Sequence, residues 1–429
     1  MLTSAPKVEP DGNPLVFVPD WDIPGFGQAK IWIGDALAII SGSGEDLLIR
    51  AGDEQTGAPT AALFEILEKL DGTLRPNRLN IPFFYLGALS YDFGRRLENI
   101  ALNAVFYRLP EFFIVFPGNG WIWNEKKQQG WRFRSKRVCK LSEPGSPMES
   151  RPELASVSRE EYRDKIDKIR GLITEGEVYQ INYTIRFSRV VEEGGWQLFQ
   201  KLYRENPAPY SVYLKMDRGE LLSISPERFL HQRGDVVTTE PIKGTVKRGT
   251  DLPEDERLKK WLLQSRKNQA ELNMIIDLLR NDLSRNCLPG SVKVLKRKEL
   301  RSFANVHHLV GVVRGRLEKK ERIWRLFRDA FPGGSITGCP KIAAMNYISN
   351  LEAHSRSYYT GSFFIRFPGW DVLDSNILIR TGILTGGQIY FQVGGGIVID
   401  SDPEEEFREC VAKAASFLKV MGVEDASLL

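Results

Sequence analysis

Cysteine and histidine are both scarce in this chain, with four residues of each among 429. No metal-type spacing relates the four cysteines, and a few scattered thiols are typical of reduced proteins inside the cell. The sequence also lacks an apolar run of the ~20 residues that a membrane-spanning helix needs, and no basic-then-apolar leader follows Met1. We therefore expect a soluble, cytoplasmic protein that does not act at a membrane.

The chain also has little excess charge. Its 59 Lys and Arg residues are nearly balanced by 55 Asp and Glu residues, which leaves a formal net charge of +4. A charge this small and this evenly spread argues against nucleic acid as a partner, whereas small acidic molecules stay available as ligands. With 42% hydrophobic and 27% charged residues, the composition is that of an ordinary globular protein.

A stretch rich in Ser, Pro, Glu and Gly over residues 141–156 is the clearest linker. It predicts two parts: a β-rich N-terminal region over residues 1–145 and a larger region over residues 157–429. Short apolar runs separated by turns are typical of antiparallel strands in the first part. The second part mixes helical and strand patterns, and the length suits either two domains or one large α/β body with an appended half.

Several elements can be placed in the larger region. Ser158 and Glu161 form a capping box that predicts the start of a helix. Asp402, followed by proline, predicts the start of the last helix. Residues 254–284 are predicted to form a long helical stretch with room for a break in its middle. Three strands are predicted at residues 361–365, 376–383 and 389–393.

The last helix carries charged residues on one face, since Glu406, Glu409 and Lys413 stand at i, i+3 and i+7. A solvated helix face is the plain interpretation. The alternative is a Mg²⁺ site, because carboxylate oxygens are the ligands that this ion prefers. Glu271, which lies beside an apolar helix face, is a candidate third carboxylate, since a buried carboxylate needs a partner.

Two glycine-rich stretches, residues 331–341 and 393–398, predict places where backbone amides approach a ligand closely. Arg380 lies in an apolar run predicted to be a strand, and burial of an arginine there favours a paired carboxylate, for example one of the substrate. His308 is a candidate acid or base, although a lone histidine in an apolar run is more often structural.

Lys243 precedes a glycine in the apolar string Pro241–Thr245. Most lysines in such a position extend to solvent. A desolvated lysine near other cations instead becomes a neutral amine and a nucleophile. Both interpretations stay open on these residues alone.

Eight ordered strings resemble the chorismate-utilising enzymes, and together they cover nearly all of residues 158–420. That resemblance implies an α+β fold like that of anthranilate synthase component I, in which two antiparallel sheets pack together with helices outside and the active site between them. The N-terminal third matches more loosely, and the resemblance suggests a tryptophan-binding region. The strings are Ser225–Leu230, Pro241–Thr245, Ala270–Leu283, Val306–Val310, Phe331–Met345, Tyr359–Ser362, Ile379–Thr381 and Gly394–Glu409.

The resemblance implies roles for the candidate residues at the matching positions. Glu271 and Glu409 would hold Mg²⁺ against the ring carboxylate of chorismate, with Glu406 assisting directly or through water. His308 would lie near the ring. The substrate-binding positions are Tyr359, Arg380, Thr337, Gly244, Thr245, Gly395, Gly396 and Lys413.

Two positions distinguish the activities within the family. Members that add water carry lysine where this chain has Gln180, whereas members that use ammonia carry glutamine. Anthranilate-forming members usually carry alanine where this chain has Lys243, and lysine there marks the members that form 4-amino-4-deoxychorismate. That product leads to para-aminobenzoate and folate. The resemblance thus implies attack of Lys243 on C2 of chorismate, with Glu227 protonating the departing C4 hydroxyl. We expect cationic neighbours and burial to keep Lys243 neutral.

Ammonia has to be supplied from outside this chain, since no cysteine lies in the Gly-x-Cys-x-Gly elbow of a class I glutaminase. We therefore expect a separate glutaminase subunit in a heterodimer. The alternatives are an anthranilate synthase component I and a chorismate-binding relative without turnover.

Some positions depart from the family pattern. Cys339, Asn268 and Ser284 stand where alanine, aspartate and glycine are usual, and none of them has a proposed catalytic role. Residues 206–210 resemble a tryptophan-binding segment of anthranilate synthases.

Overall fold

The computed structural model of the chain describes residues 2–3, 12–23, 26–74, 83–101, 109–141, 154–303 and 306–423. The strands within these residues are β1 (Leu2–Thr3), β2 (Val16–Ile23), β3 (Gly27–Ser43), β4 (Asp46–Ala51), β5 (Glu54–Pro59), β6 (Tyr85–Leu89), β7 (Phe112–Asn124), β8 (Gln129–Phe133), β9 (Gln180–Val190), β10 (Tyr210–Met216), β11 (Gly219–Ser225), β12 (Arg228–Arg233), β13 (Val236–Glu240), β14 (Ile242–Lys247), β15 (Lys293–Ser302), β16 (Val306–Arg316), β17 (Gly338–Cys339), β18 (Ser362–Phe367), β19 (Val372–Asn376), β20 (Thr381–Thr385) and β21 (Gln388–Ile397). The helices are α1 (Leu63–Thr73), α2 (Tyr91–Leu97), α3 (Arg159–Thr174), α4 (Gly195–Glu205), α5 (Leu252–Gln264), α6 (Arg266–Ser284), α7 (Ile323–Ala330), α8 (Lys341–Leu351) and α9 (Pro403–Val420).

All of the paired strands are antiparallel, which confirms the predicted α+β class. Hydrogen bonding links the described strands into one continuous network, so a division into two packed sheets is not shown and stays a prediction. Two pairings cross the predicted boundary between the regions: β2 pairs with β10, and β6 pairs with β18. The predicted linker itself lies largely outside the described residues.

Helices pack on the strands through their apolar faces, and three apolar clusters result. One cluster gathers the inner faces of α3, α4 and α9 against β9 and β21, and it includes Ile166, Leu198 and Phe417. A second lies under α1, α6 and α7, and a third is built almost entirely from strands. Burial of these side chains fixes α6 and α9, which carry the candidate carboxylates. No helix in the described part of the chain is both long and apolar enough to cross a membrane.

The predicted helix starts are confirmed. The Ser158 hydroxyl accepts a hydrogen bond from the backbone of Glu161, and the Glu161 carboxylate accepts one from the backbone of Ser158. Asp402 caps α9 by accepting hydrogen bonds from the amides of Glu404 and Glu405, at 3.0 and 2.9 Å. These caps satisfy amide groups that have no partner within the helix.

Two predicted elements are divided in the structure. The long helical stretch is broken at Ser265, whose extended backbone ends α5 and whose hydroxyl caps α6. The strand predicted over residues 376–383 is wrong, because β19 ends at Asn376 and β20 begins at Thr381. Arg380 lies between them with a left-handed backbone, at a φ of 50°. This position turns Arg380 out of the ladder and towards a cavity.

Candidate active site

A cavity of about 790 Å³ lies between β14 and α6 on one side and β21 and α9 on the other. All of the predicted site residues line it, except Gln180 and Thr337. These side chains come from segments separated by up to 186 residues in sequence, from Glu227 to Lys413, and the sheet brings them together. These residues therefore line one cavity, and their role as a shared site stays a prediction.

Lys243 reaches the cavity from a bulge in β14. The pairing of β14 with β16 shifts register between Lys243 and Thr245, and the intervening Gly244 has a φ of 74°. A Cβ atom at position 244 would lie 2.8 Å from Leu262 and 2.9 Å from the Asn268 amide carbon. Glycine is therefore needed both for the left-handed backbone and for the close packing. The bulge therefore directs the Lys243 side chain towards the cavity.

Glu227 lies in the same wall, in the turn that follows β11. Its side chain is buried, with 5% exposure, and its Oε1 accepts a hydrogen bond of 2.8 Å from the Ser335 hydroxyl. Burial raises the pKa of Glu227 to about 7, although the Ser335 hydrogen bond and the positive charge of Lys243 oppose the rise. A carboxyl group with this pKa can carry a proton at neutral pH and donate it, as a general acid does.

Lys243 lies among carboxylates. Its positive charge favours the ionised forms of Glu227, Glu271 and Glu409, and so acts to lower the pKa of each. For Glu227 and Glu271, burial outweighs this effect. These three carboxylates come from different segments of the chain, which a local sequence pattern does not relate. The cationic neighbours expected for Lys243 stay a prediction.

His308 lies on β16, opposite Thr245 in the β14 ladder. Its Nδ1 is 2.9 Å from the Thr245 hydroxyl, and its buried Nε2 has no hydrogen-bond partner in the described residues. Burial, assisted by the positive charge of Arg380, lowers the pKa of His308 to about 4. The imidazole is therefore neutral at pH 7 and presents one free nitrogen to a ligand.

Arg380 has no ion pair among the described residues, and burial lowers its pKa. A half-buried guanidinium without a carboxylate partner is costly, and an anionic ligand would relieve that cost. Tyr359 lies nearby in the cavity wall, and burial raises its pKa. The Lys413 ammonium is already held, because it lies 2.7 Å from Glu409 Oε1 and donates to the Gly394 carbonyl at 2.7 Å.

The glycines of β21 let other groups approach the strand. A Cβ at position 395 would lie 3.1 Å from Glu406 Oε2, and one at position 396 would collide with the side-chain amide of Gln180. Gln180 is therefore behind the cavity wall rather than in its lining. Both of its amide atoms are buried and have no hydrogen-bond partner in the described residues. Such an amide is unsatisfied unless a ligand reaches it.

Thr337 is also behind the wall. It is fully buried, and its hydroxyl donates to the Gly333 carbonyl at 3.2 Å. This bond stabilises the loop that presents Ser335 to Glu227. The structure thus gives Thr337 a supporting place, whereas the sequence predicted contact with the substrate.

Glu271, Glu406 and Glu409 are the predicted metal ligands. All three line the cavity, and carboxylate oxygens suit Mg²⁺. Burial raises the pKa of Glu271, and the negative charges of Glu406 and Glu409 raise it further, which a divalent cation would relieve. Across the described ranges, however, no three His, Cys, Asp or Glu side chains form a ready metal-binding group. The donors fit Mg²⁺ in their chemistry, but they are not gathered around one point.

Sequence reasoning missed several cavity residues. Ser335 lies within a quoted glycine-rich string, but nothing local links it to Glu227. Asn182 has a buried carbonyl oxygen without a partner in the described residues, and it stands two positions after Gln180, on the same face of β9. Lys267 stands one helical turn before Glu271, a spacing that could have indicated it.

A buried ion pair behind the cavity supports these loops. Arg356 is 1% exposed and makes two hydrogen bonds to the Glu352 carboxylate, at 2.9 and 2.7 Å. Its guanidinium also donates to the backbone carbonyls of Ile336 and Asn182, at 2.9 and 2.6 Å. The pair therefore connects the loop bearing Ser335 with β9.

Arg356→Met is expected to lower the free energy of unfolding by roughly 3–5 kcal/mol, because the buried Glu352 carboxylate would lose its counter-ion. Urea unfolding followed by circular dichroism measures the change. The matched control is Arg163→Met, which removes an exposed ion pair to Glu404 and should leave the unfolding midpoint nearly unchanged. Equal midpoints for the two variants would contradict a structural role for the buried pair.

The chain is similar to known proteins over most of its length. Residues 21–419 match the family model of the chorismate binding enzymes. The chain is 37% identical over 352 residues to aminodeoxychorismate synthase component 1 of Klebsiella aerogenes, covering 79% of this chain and 78% of the relative. It is 33% identical over 417 residues to the Escherichia coli K12 protein of that name, covering 92% and 90%.

Anthranilate synthases are also similar. Anthranilate synthase component 1 of Thermus thermophilus is 33% identical over 373 residues, covering 81% of this chain and 79% of the relative. The crystal structure of anthranilate synthase component I from Streptococcus pneumoniae has the same fold, with a TM-score of 0.75 at 23% identity over 98% of this chain and 95% of the other. The family match spans most of the chain and includes every candidate residue, and so the chain belongs to the chorismate-binding enzymes.

Proposed function

We propose that this chain is an aminodeoxychorismate synthase component 1, which converts chorismate and ammonia to 4-amino-4-deoxychorismate and water. The observation that carries the proposal is the combination of Lys243 and Glu227 in one cavity: an amine beside a buried carboxyl group whose pKa is about 7. Relatives with this name are 31–38% identical to the chain, which supports the proposal.

Chorismate is a dicarboxylate, and the cavity offers groups that suit it. Arg380 would bind one carboxylate in the bidentate manner that its planar guanidinium favours. The glycine backbone of Gly395 and Gly396 allows the ring to lie close to β21. The neutral His308 would contact the ring through its free nitrogen. These contacts would hold C2 within reach of Lys243, and such positioning supplies much of a rate enhancement.

In the first step, the Lys243 amine forms a bond to C2 while the ring double bonds shift and the C4–O bond breaks. Glu227 donates its proton to the departing hydroxyl, which leaves as water. In the second step, ammonia forms a bond to C4, the double bonds shift back, and the C2–N bond breaks to release the Lys243 amine. The surplus proton of ammonia returns to Glu227. The enolpyruvyl ether at C3 is retained throughout.

Gln180 is suited to an amine nucleophile rather than to water. A side-chain amide has no basic group with which to deprotonate water, whereas ammonia attacks without prior deprotonation. The Gln180 amide lies behind Gly396 of the cavity wall and has no partner in the described residues. The absence of a basic group at this position supports amination over hydration.

Glu271 and Glu409, with Glu406, would hold a Mg²⁺ ion in this proposal. When bound, the ion supplies positive charge that neutralises a substrate carboxylate. The charge on the carboxylates themselves would then no longer repel the dianionic substrate. We also propose that ammonia comes from a separate glutaminase subunit, since relatives of this chain are named as component 1.

Mass spectrometry of the products tests the proposal. We expect purified chain, chorismate, MgCl₂ and ammonium chloride to yield 4-amino-4-deoxychorismate. The same chain with glutamine in place of ammonium should yield no product until a glutaminase subunit is added.

Two other outcomes would decide for the alternatives. Anthranilate and pyruvate in the wild-type reaction would assign the chain to the anthranilate synthases, which are also similar to it. Mg²⁺-dependent binding of chorismate without any product would identify a relative without turnover.

A further inference from the structure

Lys267 begins the first turn of α6 and reaches across the cavity to α9. Its Nζ lies 3.3 Å from Glu406 Oε1, and the same oxygen accepts a hydrogen bond of 2.8 Å from the Ser401 hydroxyl. The Glu406 side chain is 4% exposed, whereas that of Lys267 is 49% exposed. A fixed hydroxyl and a largely exposed ammonium thus share one buried carboxylate.

The same ammonium acts on the other two candidate metal ligands. Lys267 stands one turn before Glu271 on α6, and Glu409 stands one turn after Glu406 on α9, so the three carboxylates surround it from two helices. All three interact electrostatically with Lys267. Lys267 is therefore a counter-ion shared by the whole carboxylate set.

Lys413 is the second lysine near the three carboxylates, and its ammonium group is held differently. Lys413 is tied to the backbone carbonyl of Gly394 at 2.7 Å as well as to Glu409. For Lys267, the only hydrogen-bond partner within the described residues is Glu406. Movement of Lys267 to solvent therefore breaks one hydrogen bond, to a carboxylate. Movement of Lys413 would also leave the Gly394 carbonyl group without its donor.

We propose that Lys267 competes with the divalent cation for Glu271, Glu406 and Glu409, so that cation binding displaces its ammonium into solvent. The inference rests on the metal site of the proposed function. An ammonium 3.3 Å from a ligand oxygen repels a divalent cation bound to that oxygen, and the two cannot both be close neighbours at low cost. Lys267 thereby sets the cation affinity of the site.

Carboxylate oxygens are suitable ligands for Mg²⁺, but the three side chains do not surround one point. The ion pairs with lysine explain this arrangement. Ion pairs with two lysines direct Glu406 and Glu409 towards different partners. A cation that replaces Lys267 would take its place beside Glu406, which stays hydrogen-bonded to the Ser401 hydroxyl. The cation affinity should then depend strongly on ionic strength, because salt screens the half-exposed lysine.

Isothermal titration of the full chain with MgCl₂ at low ionic strength tests the inference directly. Lys267→Met keeps the length of the side chain and removes its charge. We expect it to bind Mg²⁺ about tenfold more tightly than the wild type. Lys267→Arg keeps the charge and should restore an affinity close to that of the wild type.

The matched control is Lys201→Met, which removes a lysine that is 48% exposed and ion-paired to Glu193, on α4 and outside the cavity lining. Its Mg²⁺ affinity should equal that of the wild type. Circular dichroism checks that each variant is folded, and Lys267→Gln replaces Lys267→Met if the latter is not.

Equal or weaker Mg²⁺ binding by the folded Lys267→Met protein overturns the inference while leaving the metal site in place. Product formation by the wild type separates this failure from a failure of the proposed function. Absence of Mg²⁺ binding to both proteins overturns the inference and the metal site together, and the products then show whether the amination still stands.

Discussion

Lys243→Ala is expected to reduce the formation of 4-amino-4-deoxychorismate by on the order of 10³-fold or more, because it removes the nucleophile of the first step. Substrate affinity should change far less, since Arg380, His308 and the β21 glycines remain. Steady-state assays with ammonium chloride, with the product quantified by mass spectrometry, measure both effects. A large loss in kcat with a small change in KM is the expected pattern.

The covalent step has its own signature. Acid-quenched wild-type enzyme should contain a fraction of protein heavier by the mass of chorismate minus water, located on the peptide that contains Lys243. Lys243→Arg separates charge from nucleophilicity, because a guanidinium keeps the positive charge but is always protonated. We expect it to be as inactive as Lys243→Ala and to give no adduct.

A lysine of β15, a strand that pairs with β16, provides the control. Lys296→Ala changes an exposed residue of β15 outside the cavity lining and should retain the wild-type rate. The covalent mechanism would be wrong if Lys243→Ala kept a rate comparable with that of Lys296→Ala. A fully active Lys243→Arg would show that the position supplies charge alone.

The sequence allowed site residues to be predicted where a charged side chain stands in an apolar run, or where charged side chains share one helix face. Lys243 stands in an apolar run before a glycine, and the structure has a bulge with a left-handed Gly244 at that point. Glu406, Glu409 and Lys413 share one face of a capped helix, as the helical spacing predicted. Local rules suffice in these cases, because the spacing of a helix and the backbone demand of a bulge are local properties.

Contacts between distant segments could not be predicted in this way. Ser335 is 108 positions from Glu227, and only the packing of the loop against the end of β11 brings the two within 2.8 Å. The carboxylates around Lys243 come from three separate segments, and no local pattern in the sequence relates them. Arg380 was assigned to a strand for a related reason: its neighbours are apolar, but the ladder is interrupted between β19 and β20.

The activity is expected to decline as the pH rises above about 7, because Glu227 must carry a proton to release the C4 hydroxyl as water. Burial raises the pKa of this carboxyl group to about 7, so its protonated fraction falls through that pH. Glu227→Gln removes the titrating group, and it should lower kcat/KM by roughly 10²–10⁴-fold and abolish this alkaline decline. The pH dependence of kcat/KM for the two proteins measures both effects.

Stability should change with pH in a related way. Because the folded state holds the Glu227 proton more tightly than the unfolded state, the folded protein binds more protons between about pH 4.5 and 7. The contribution of Glu227 to stability therefore falls as the pH rises through this range, by about 3 kcal/mol. Glu227→Gln should lack this part of the pH dependence in urea unfolding.

Ser335→Ala identifies the group responsible for the alkaline decline. The Ser335 hydroxyl lowers the pKa of Glu227 through its hydrogen bond, so its removal should raise that pKa further. We expect the alkaline decline to move to higher pH in this variant. The titration would belong to another group if the alkaline decline kept its wild-type pH in Ser335→Ala or persisted in Glu227→Gln. Glu227 would then not be the acid that protonates the departing hydroxyl.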